Sequence, residues 1–456
     1  IPDVILTLTV ALAMWSFLRA LEEEEPHSRR WAWLMAAGIA TGLLLKGLIA
    51  AVFPVGAGLV YLLLTRQLFA RRTWVRLRPF SGTLIILAIA APWHVLATLH
   101  NPPYFYFSLR SVPGEYHGFF WFYFFNEHLL RFLNLRYPRD YNTVPRLYFW
   151  LLHLVWLFPW SAYLPAAARL SYKPVDRAGR LRLLALCWIG FLLVFFTFSS
   201  TQEYYSMPCY PALALLIGCA LAEKTWIRAG HWAIAAVAGA AAVIIAVILS
   251  QVWNLPTPGD ISSALTQHPE AYTLSLGHMG DLTLASFAYL RTPLILAGLA
   301  CLMGASAPFW KRRPMVAFLI MMVLFLHAAR LAMIVFDPYL SSRPLAEALV
   351  KAPPGELIED NAYYTFSSVF FYTNRRGLLL NGRQTNLEYG SYAPGAPNVF
   401  INDADLARLW REPRRYYLLI EGPSVARIEK VVARNELYTV ADSGGKFLFT
   451  NHANPD

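Results

Sequence analysis

The chain alternates apolar blocks of about 20 residues with short polar segments, the length one helix needs to cross a bilayer's hydrocarbon. Ten blocks fit, near 4–21, 31–45, 48–64, 82–99, 147–166, 184–199, 205–222, 231–250, 284–305 and 315–336. The second and third share one apolar stretch broken at Lys46-Gly47, which predicts a tight helical hairpin. After Phe336 the texture changes to short apolar runs at 369–373, 377–380, 398–401, 416–420 and 446–449. Between some of them lie amphipathic stretches headed by Asp403 and Ser424, both good helix caps. Strands alternating with helices predict a small, partly parallel α/β domain. The expected architecture is therefore a mainly α polytopic membrane protein, residues 1–336 with about ten spans, followed by an extracytoplasmic α/β domain, 337–456.

Composition agrees. Hydrophobic residues make up 57% and charged residues only 15%, which excludes an ordinary soluble protein. The net charge of +11 resides in the membrane part, because residues 337–456 carry 13 basic and 14 acidic side chains. Of the 26 Lys and Arg before residue 337, 18 fall at Arg19 or in the segments 22–30, 65–81, 167–183, 223–230 and 306–314. That asymmetry marks those segments as inner loops and leaves the C-terminal domain outside. Topology thus explains the charge, and no nucleic-acid partner is implied. Cys187, Cys209, Cys219 and Cys301 all lie in or beside apolar spans and read as small buried residues. The chain opens on Ile1-Pro2-Asp3 without Met, which reads as a shortened N-terminus.

Candidate chemistry gathers in the outer segments. Seven aromatics, Phe119 to Phe125, run directly into Glu127, His128 and Arg131. Aromatic runs suit the membrane–water interface, so these polar groups stand at headgroup depth. Glu127 and Arg131 are four apart, the spacing of an intrahelical ion pair. Arg110, Arg131, Arg136, Arg139 and Arg146 cluster where basic residues are otherwise sparse, which favours an anionic substrate. Lys46 either snorkels from a span end or offers its ammonium to a lipid phosphate. In the segment 199–211, Gln202 and Glu203 can bind sugar hydroxyls and Tyr204 and Tyr205 supply phenols; the alternative is an interfacial tyrosine pair in a turn. His327 and Arg330 lie three apart inside the last span, where an arginine marks either a wet cavity or a structural ion pair. Asp3 is a carboxylate near the same outer surface, and its simplest role is to favour the N-terminal dipole of the first helix. His268, His278 and Asp281 match no strong metal-ligand spacing.

Together these features resemble the protein O-mannosyltransferase-like superfamily, including bacterial lipid A aminoarabinose transferases. The residues that carry the resemblance are TGLLLKG at 41–47, APW at 91–93, FFNEHLLRF at 124–132, FPW at 158–160 and FFTFSSTQEYYSMPCYPALALLIG at 195–218. The resemblance implies a GT-C membrane fold and an enzyme, a glycosyltransferase, that moves a sugar from a polyprenyl phosphate to a lipid, glycan or protein acceptor outside the cytoplasmic membrane. It also implies an acidic base in the first large outer loop. That loop is expected to precede Ile1 with about three spans, leaving Asp3 as the only weak candidate here. A lysine common in the family near 199–205 is replaced by Gln202 and Glu203, so phosphate contact from that loop is in doubt.

The expected chemistry is direct attack by an acceptor hydroxyl at the anomeric carbon, with inversion. Lys46 and Arg131 are the leading phosphate partners, with Arg330 behind them, while Glu127 and His128 orient Arg131 or touch the sugar. No metal or other cofactor is called for. A transporter or lipid flippase is the alternative; it predicts internal repeats, and none is evident in the sequence.

Overall fold

The computed structural model describes residues 2–138, 145–199, 203–224, 226–266, 277–310 and 313–453. Its long helices are α1 (Pro2–Leu21), α2 (Ser28–Lys46), α3 (Ile49–Leu64), α4 (Pro79–His100), α5 (Arg146–Trp156), α6 (Arg177–Phe198), α7 (Tyr210–Glu223), α8 (Ile227–Val252), α9 (Arg291–Ser306) and α10 (Pro314–Leu340). Among the described residues, seven helical segments are long and apolar enough to cross a membrane: Pro2–Leu21, Arg71–His100, Arg177–Phe198, Tyr204–Glu223, Ile227–Val252, Arg291–Phe309 and Pro314–Leu340.

Three of the ten expected spans take another form. The fifth is bent by 98° between Arg146–Trp156 and Trp160–Ala167, and makes an eighth span only if both arms are counted as one. Pro159 at that bend has no N–H to continue a helical ladder. Helix α3 has 16 residues, about 24 Å of rise against a hydrocarbon core of about 30 Å. Helix α2 begins with Ser28-Arg29-Arg30 and ends on Lys46, so charge occupies both of its ends. The break at Lys46-Gly47 between α2 and α3 stands as expected.

Two apolar cores hold the membrane part together. Leu6, Val10 and Met14 of α1 pack with Phe53 and Tyr61 of α3, Trp188 and Leu192 of α6, and Ala212 and Leu216 of α7. A second core joins Ile234 and Ala238 of α8, Ala300 of α9, and Phe318 and Met321 of α10 to Tyr163. Other faces of these helices stay apolar and exposed, as at Val243 and Ile244 of α8 and Val323 and Leu326 of α10. Lipid suits such faces and water does not. At one end of the bundle Arg19, Arg72, Arg76, Arg177 and Arg180 meet Glu22 to Glu25 around a shared cleft. Three expected inner loops, 22–30, 65–81 and 167–183, therefore lie together, opposite the end that carries Asp3 and Lys46.

The last span runs to Leu340, four residues past its expected end. After it comes a six-stranded sheet in the order β3-β2-β1-β4-β6-β5, with β1 (Glu356–Asp360), β2 (Gly377–Leu380), β3 (Phe400–Ile401), β4 (Tyr416–Glu421), β5 (Tyr438–Ser443) and β6 (Lys446–Thr450). The first four strands are parallel, while β6 runs antiparallel to both β4 and β5. The partly parallel α/β expectation holds. Two local readings do not. Residues 369–373 form a helix, Ser367–Thr373, that buries Val369 and leaves Phe371 and Tyr372 exposed. Strand β1, ELIED, is hidden from pattern reading because Glu359 and Asp360 are buried in it. The helix at 403 is capped by Asn402 rather than Asp403, in a capping box with Asp405.

Candidate active site

The aromatic run does not form an α-helix. Trp121–Leu130 winds as a π-helix, a form that concentrates at functional sites. The wider turn spreads its rings over three partners. Phe119 and Tyr123 pack on Trp93 and His94 of α4. Phe120 meets Phe105 edge-on. Phe122 stacks on Tyr389 of the C-terminal domain at 4.3 Å. The run therefore rivets the outer segment to α4 and to the domain, and so holds the polar residues that follow it.

Those residues face a cleft with about 640 Å³ of space, its mouth included. It is lined by Asp3, Lys46, Glu127, His128, Arg131, Tyr205 and Ser199 over Leu6, Ile49, Phe132, Phe195 and Phe196. The Lys46 ammonium lies 3.0 Å from the Asp3 carboxylate. Glu127 receives Arg131 at 3.1 Å and Arg136 at 2.7 Å. Arg131 also donates to the Tyr205 hydroxyl. Three cations and two carboxylates leave the cluster with an excess positive charge, and partial burial strengthens its field. Asp3, beyond its place in the first turn of α1, is the counter-ion of Lys46. The ammonium is thereby held at the cleft rather than swung freely into the headgroups.

His128 is spoken for at both ring nitrogens. Nδ1 donates to the Tyr123 carbonyl and Nε2 accepts the Leu48 N–H at 3.0 Å. That pattern requires the neutral ring, and burial pulls its pKa below the usual histidine value. The structure thus corrects the expectation that His128 orients Arg131 or touches a sugar: it clamps the α2–α3 turn. Gly47 permits this approach. Its φ is 94° and its ψ −161°, and a Cβ there would sit 2.4 Å from His128 Nε2.

Arg330 and His327 do not join the cleft. Both are exposed on α10, and Arg330 lines a different cavity beneath the C-terminal domain, so the structure corrects its ranking as a donor-phosphate partner. Tyr204 stands beside the cleft, edge-on to Tyr205 at 5.0 Å and within electrostatic reach of Asp3 and Arg131. Gln202, the side chain of Glu203, Arg139, His268 and the side chain of His278 lie outside the described residues. Among the described residues, no group of three or more His, Cys, Asp or Glu is placed to hold a metal.

Pattern reading missed the scaffold behind the cleft. Asn126, fully buried, accepts from Ser111 at 2.7 Å and donates to the Tyr137 carbonyl at 2.9 Å. Tyr137 donates to Glu388 at 2.7 Å, and the Tyr389 hydroxyl donates to the Gly118 carbonyl at 3.0 Å. These bonds dock the domain's Thr385–Ser391 helix on the outer segment. The one available signal was the position of Asn126, a lone amide between Phe125 and Glu127.

The fold is thus a helical membrane bundle carrying a small α/β domain, with a cleft of paired cations and carboxylates beneath an aromatic π-helix. Comparison with known proteins points the same way. Residues 1–95 match the family described as dolichyl-phosphate-mannose-protein mannosyltransferase. The undecaprenyl phosphate-alpha-4-amino-4-deoxy-L-arabinose arabinosyl transferase of Erwinia tasmaniensis is 26% identical over 426 residues, 91% of this chain and 68% of that protein. A Sodalis glossinidius protein of that name is 33% identical over 222 residues, 47% of this chain and 35% of its own length. The crystal structure of ArnT from Cupriavidus metallidurans bound to undecaprenyl phosphate superposes with a TM-score of 0.74 at 19% identity, covering 100% of this chain and 76% of that one. The chain thus spans about two thirds of one relative and about a third of the other. These likenesses bear out the resemblance and the fold: this is a multi-pass membrane protein similar to aminoarabinose transferases along most of its length and to protein mannosyltransferases over residues 1–95.

Proposed function

We propose that this chain transfers a sugar from a polyprenyl-phosphate donor to a lipid, glycan or protein acceptor at the outer face of the cytoplasmic membrane, where its C-terminal domain stands. The observation that carries the reading is the cleft in which Asp3 and Glu127 hold Lys46 and Arg131 at an apolar-floored cavity, with the buried Arg136 bracing Glu127 from outside its lining. A lipid-linked phosphate needs both surfaces, apolar for the tail and cationic for the headgroup. By likeness to the relatives above, the donor sugar belongs to the 4-amino-4-deoxy-L-arabinose class. Those likenesses favour transfer over the transporter or flippase alternative.

In the proposed step an acceptor hydroxyl oxygen attacks the anomeric carbon from the face opposite the phosphate. The new C–O bond forms as the bond to the phosphate oxygen breaks, and configuration inverts. Polyprenyl phosphate leaves with the electron pair, and Lys46 and Arg131 stabilise the charge it gains. Tyr205 holds one arm of the Arg131 guanidinium, which limits reorganisation during the step. The hydroxyl proton must pass to a base. Asp3 and Glu127 are both engaged by cations, so neither is assigned that task. The scheme draws its positive charge from side chains and calls on no metal.

The test is transfer by the reconstituted protein from a radiolabelled polyprenyl-phosphate sugar. Lys46→Ala and Arg131→Ala are each expected to lower transfer about a hundredfold, the usual loss of one transition-state charge partner. Undiminished transfer by both variants overturns the phosphate assignment. An inert wild-type protein with every lipid-linked donor overturns the enzyme reading.

A further inference from the structure

Arg330 is the intramembrane cation that the cleft leaves unused. Its guanidinium is exposed, and among the described residues no hydrogen bond or ion pair engages it. Helix α10 has 27 residues, about 40 Å of rise, some 10 Å more than the hydrocarbon it crosses. With Arg313 at its inner end, the helix clears the outer hydrocarbon edge about two turns before Leu340. Arg330, ten residues before Leu340, then lies roughly 5 Å beneath that edge, within snorkelling reach of the headgroups. With no counter-ion among the described residues, a cation at this depth must reach up to the headgroup region or be met by an anion there.

The cavity beside it answers what that anion is. It holds about 1300 Å³ of space, mouth included, between the outer half of α10 and the underside of the C-terminal domain. Met333 and Ile334 line its lower, apolar part, while Asp337, Ser341, Ser367 and Ser368 line the polar part. The roof is fixed in place. Ser342 donates its N–H to the Ser368 hydroxyl at 3.0 Å and its own hydroxyl to the Thr365 carbonyl at 2.8 Å. The β5–β6 turn closes so tightly on the helix that a Cβ at Gly444, φ 64°, would lie 1.7 Å from the Pro338 carbonyl. Asp337 is seven residues above Arg330, nearly two turns, so the two share one face with backbones about 10 Å apart. No ion pair joins them among the described residues, and a rising arginine side chain shortens the gap between the charges.

We infer that this cavity binds a zwitterionic phospholipid of the outer leaflet, whose phosphate meets Arg330 and whose ammonium meets Asp337. The cation below and the anion above match the order of phosphate and amine in a phosphoethanolamine headgroup, and the acyl chains continue down the exposed apolar face of α10 at Val323 and Leu326. The lipid would seat the domain on the membrane beside the cleft. This rests on the outer placement proposed above, but its readout needs no sugar transfer.

The test equilibrates the purified full chain with equal phosphatidylethanolamine and phosphatidylglycerol and counts retained lipid by native mass spectrometry. Wild type is expected to retain one phosphatidylethanolamine. Arg330→Gln should weaken retention about ten- to hundredfold, the loss of one charge-assisted contact, with Arg330→Lys intermediate. Asp337→Asn should keep a lipid but lose the preference for ethanolamine. Retention by Arg330→Gln equal to wild type, at matched thermal stability, overturns the site. Displacement of the lipid by excess inorganic phosphate overturns the lipid as its occupant.

Discussion

Gly47→Ala is the most revealing substitution in the cleft, because one methyl tests the turn, the clamp and the lysine together. The backbone at Gly47, φ 94° and ψ −161°, lies in a region essentially restricted to glycine, where another residue costs about 1–3 kcal/mol. The new Cβ would also stand 2.4 Å from His128 Nε2 and 3.2 Å from the Tyr123 hydroxyl. The ring must withdraw, and its bond from the Leu48 N–H is lost, a further ~1 kcal/mol. The total is about 2–4 kcal/mol, and it falls on the turn that ends α2 at Lys46. Thermal unfolding should show the stability loss, and donor titration of transfer should show a raised KM as Lys46 shifts from Asp3. A double-mutant cycle with His128→Ala separates the causes. Once the ring is gone, Gly47→Ala should cost only the backbone strain. A Gly47→Ala protein with unchanged Tm and unchanged donor KM refutes the reasoning, as does an equal cost in both backgrounds.

Three further outcomes follow from the same structure. Burial lowers the His128 pKa, so the unfolded chain binds its proton first on acidification; stability is full above about pH 6.5 and declines as pH falls below it, and Tm measured against pH should lose this component in His128→Gln. Burial pushes the Glu359 carboxyl of β1 from 4.5 up to about 8, so the unfolded chain loses that proton first and the domain loses stability as pH rises between those values, with no further loss above; Glu359→Gln should stabilise the domain at pH 9 and flatten its decline across that window, read by hydrogen exchange on β1 and β4. Tyr389→Phe removes the bonds to the Gly118 carbonyl and from the His117 N–H while keeping the stack on Phe122, so limited proteolysis between the spans and the domain should speed up several-fold, in line with ~1 kcal/mol per bond.

Much of the architecture was legible because membrane helices announce themselves locally. A run of about 20 apolar residues satisfies its own backbone in lipid, so most spans could be read without knowing their neighbours. The exceptions mark where local rules stop. Residues 147–166 carry enough hydrophobicity for a span, but the bend at Pro159 depends on how the segment packs. Residues 369–373 look like a strand until the domain buries Val369 alone. Strand β1 was invisible because a sheet interior shelters Glu359 and Asp360, the second paired with Arg427.

The candidate site divides along the same line. The sequence alone determined that charged residues stand at a membrane surface, that Glu127 and Arg131 share a face, and that the chain breaks at Lys46-Gly47, since each depends on neighbours in the chain. Only the tertiary structure decided which distant groups meet. Asp3 pairs with Lys46 across 43 residues, and Tyr205 reaches Arg131 across 74. His128 becomes a clamp rather than a ligand because Leu48, 80 residues away, offers it an N–H. Arg330, which the sequence ranks just behind Lys46 and Arg131, is carried by α10 to a separate cavity. The physical reason is range: hydrophobic pattern and helix pitch act over a few turns, whereas the partner of a polar side chain is set by how whole helices pack.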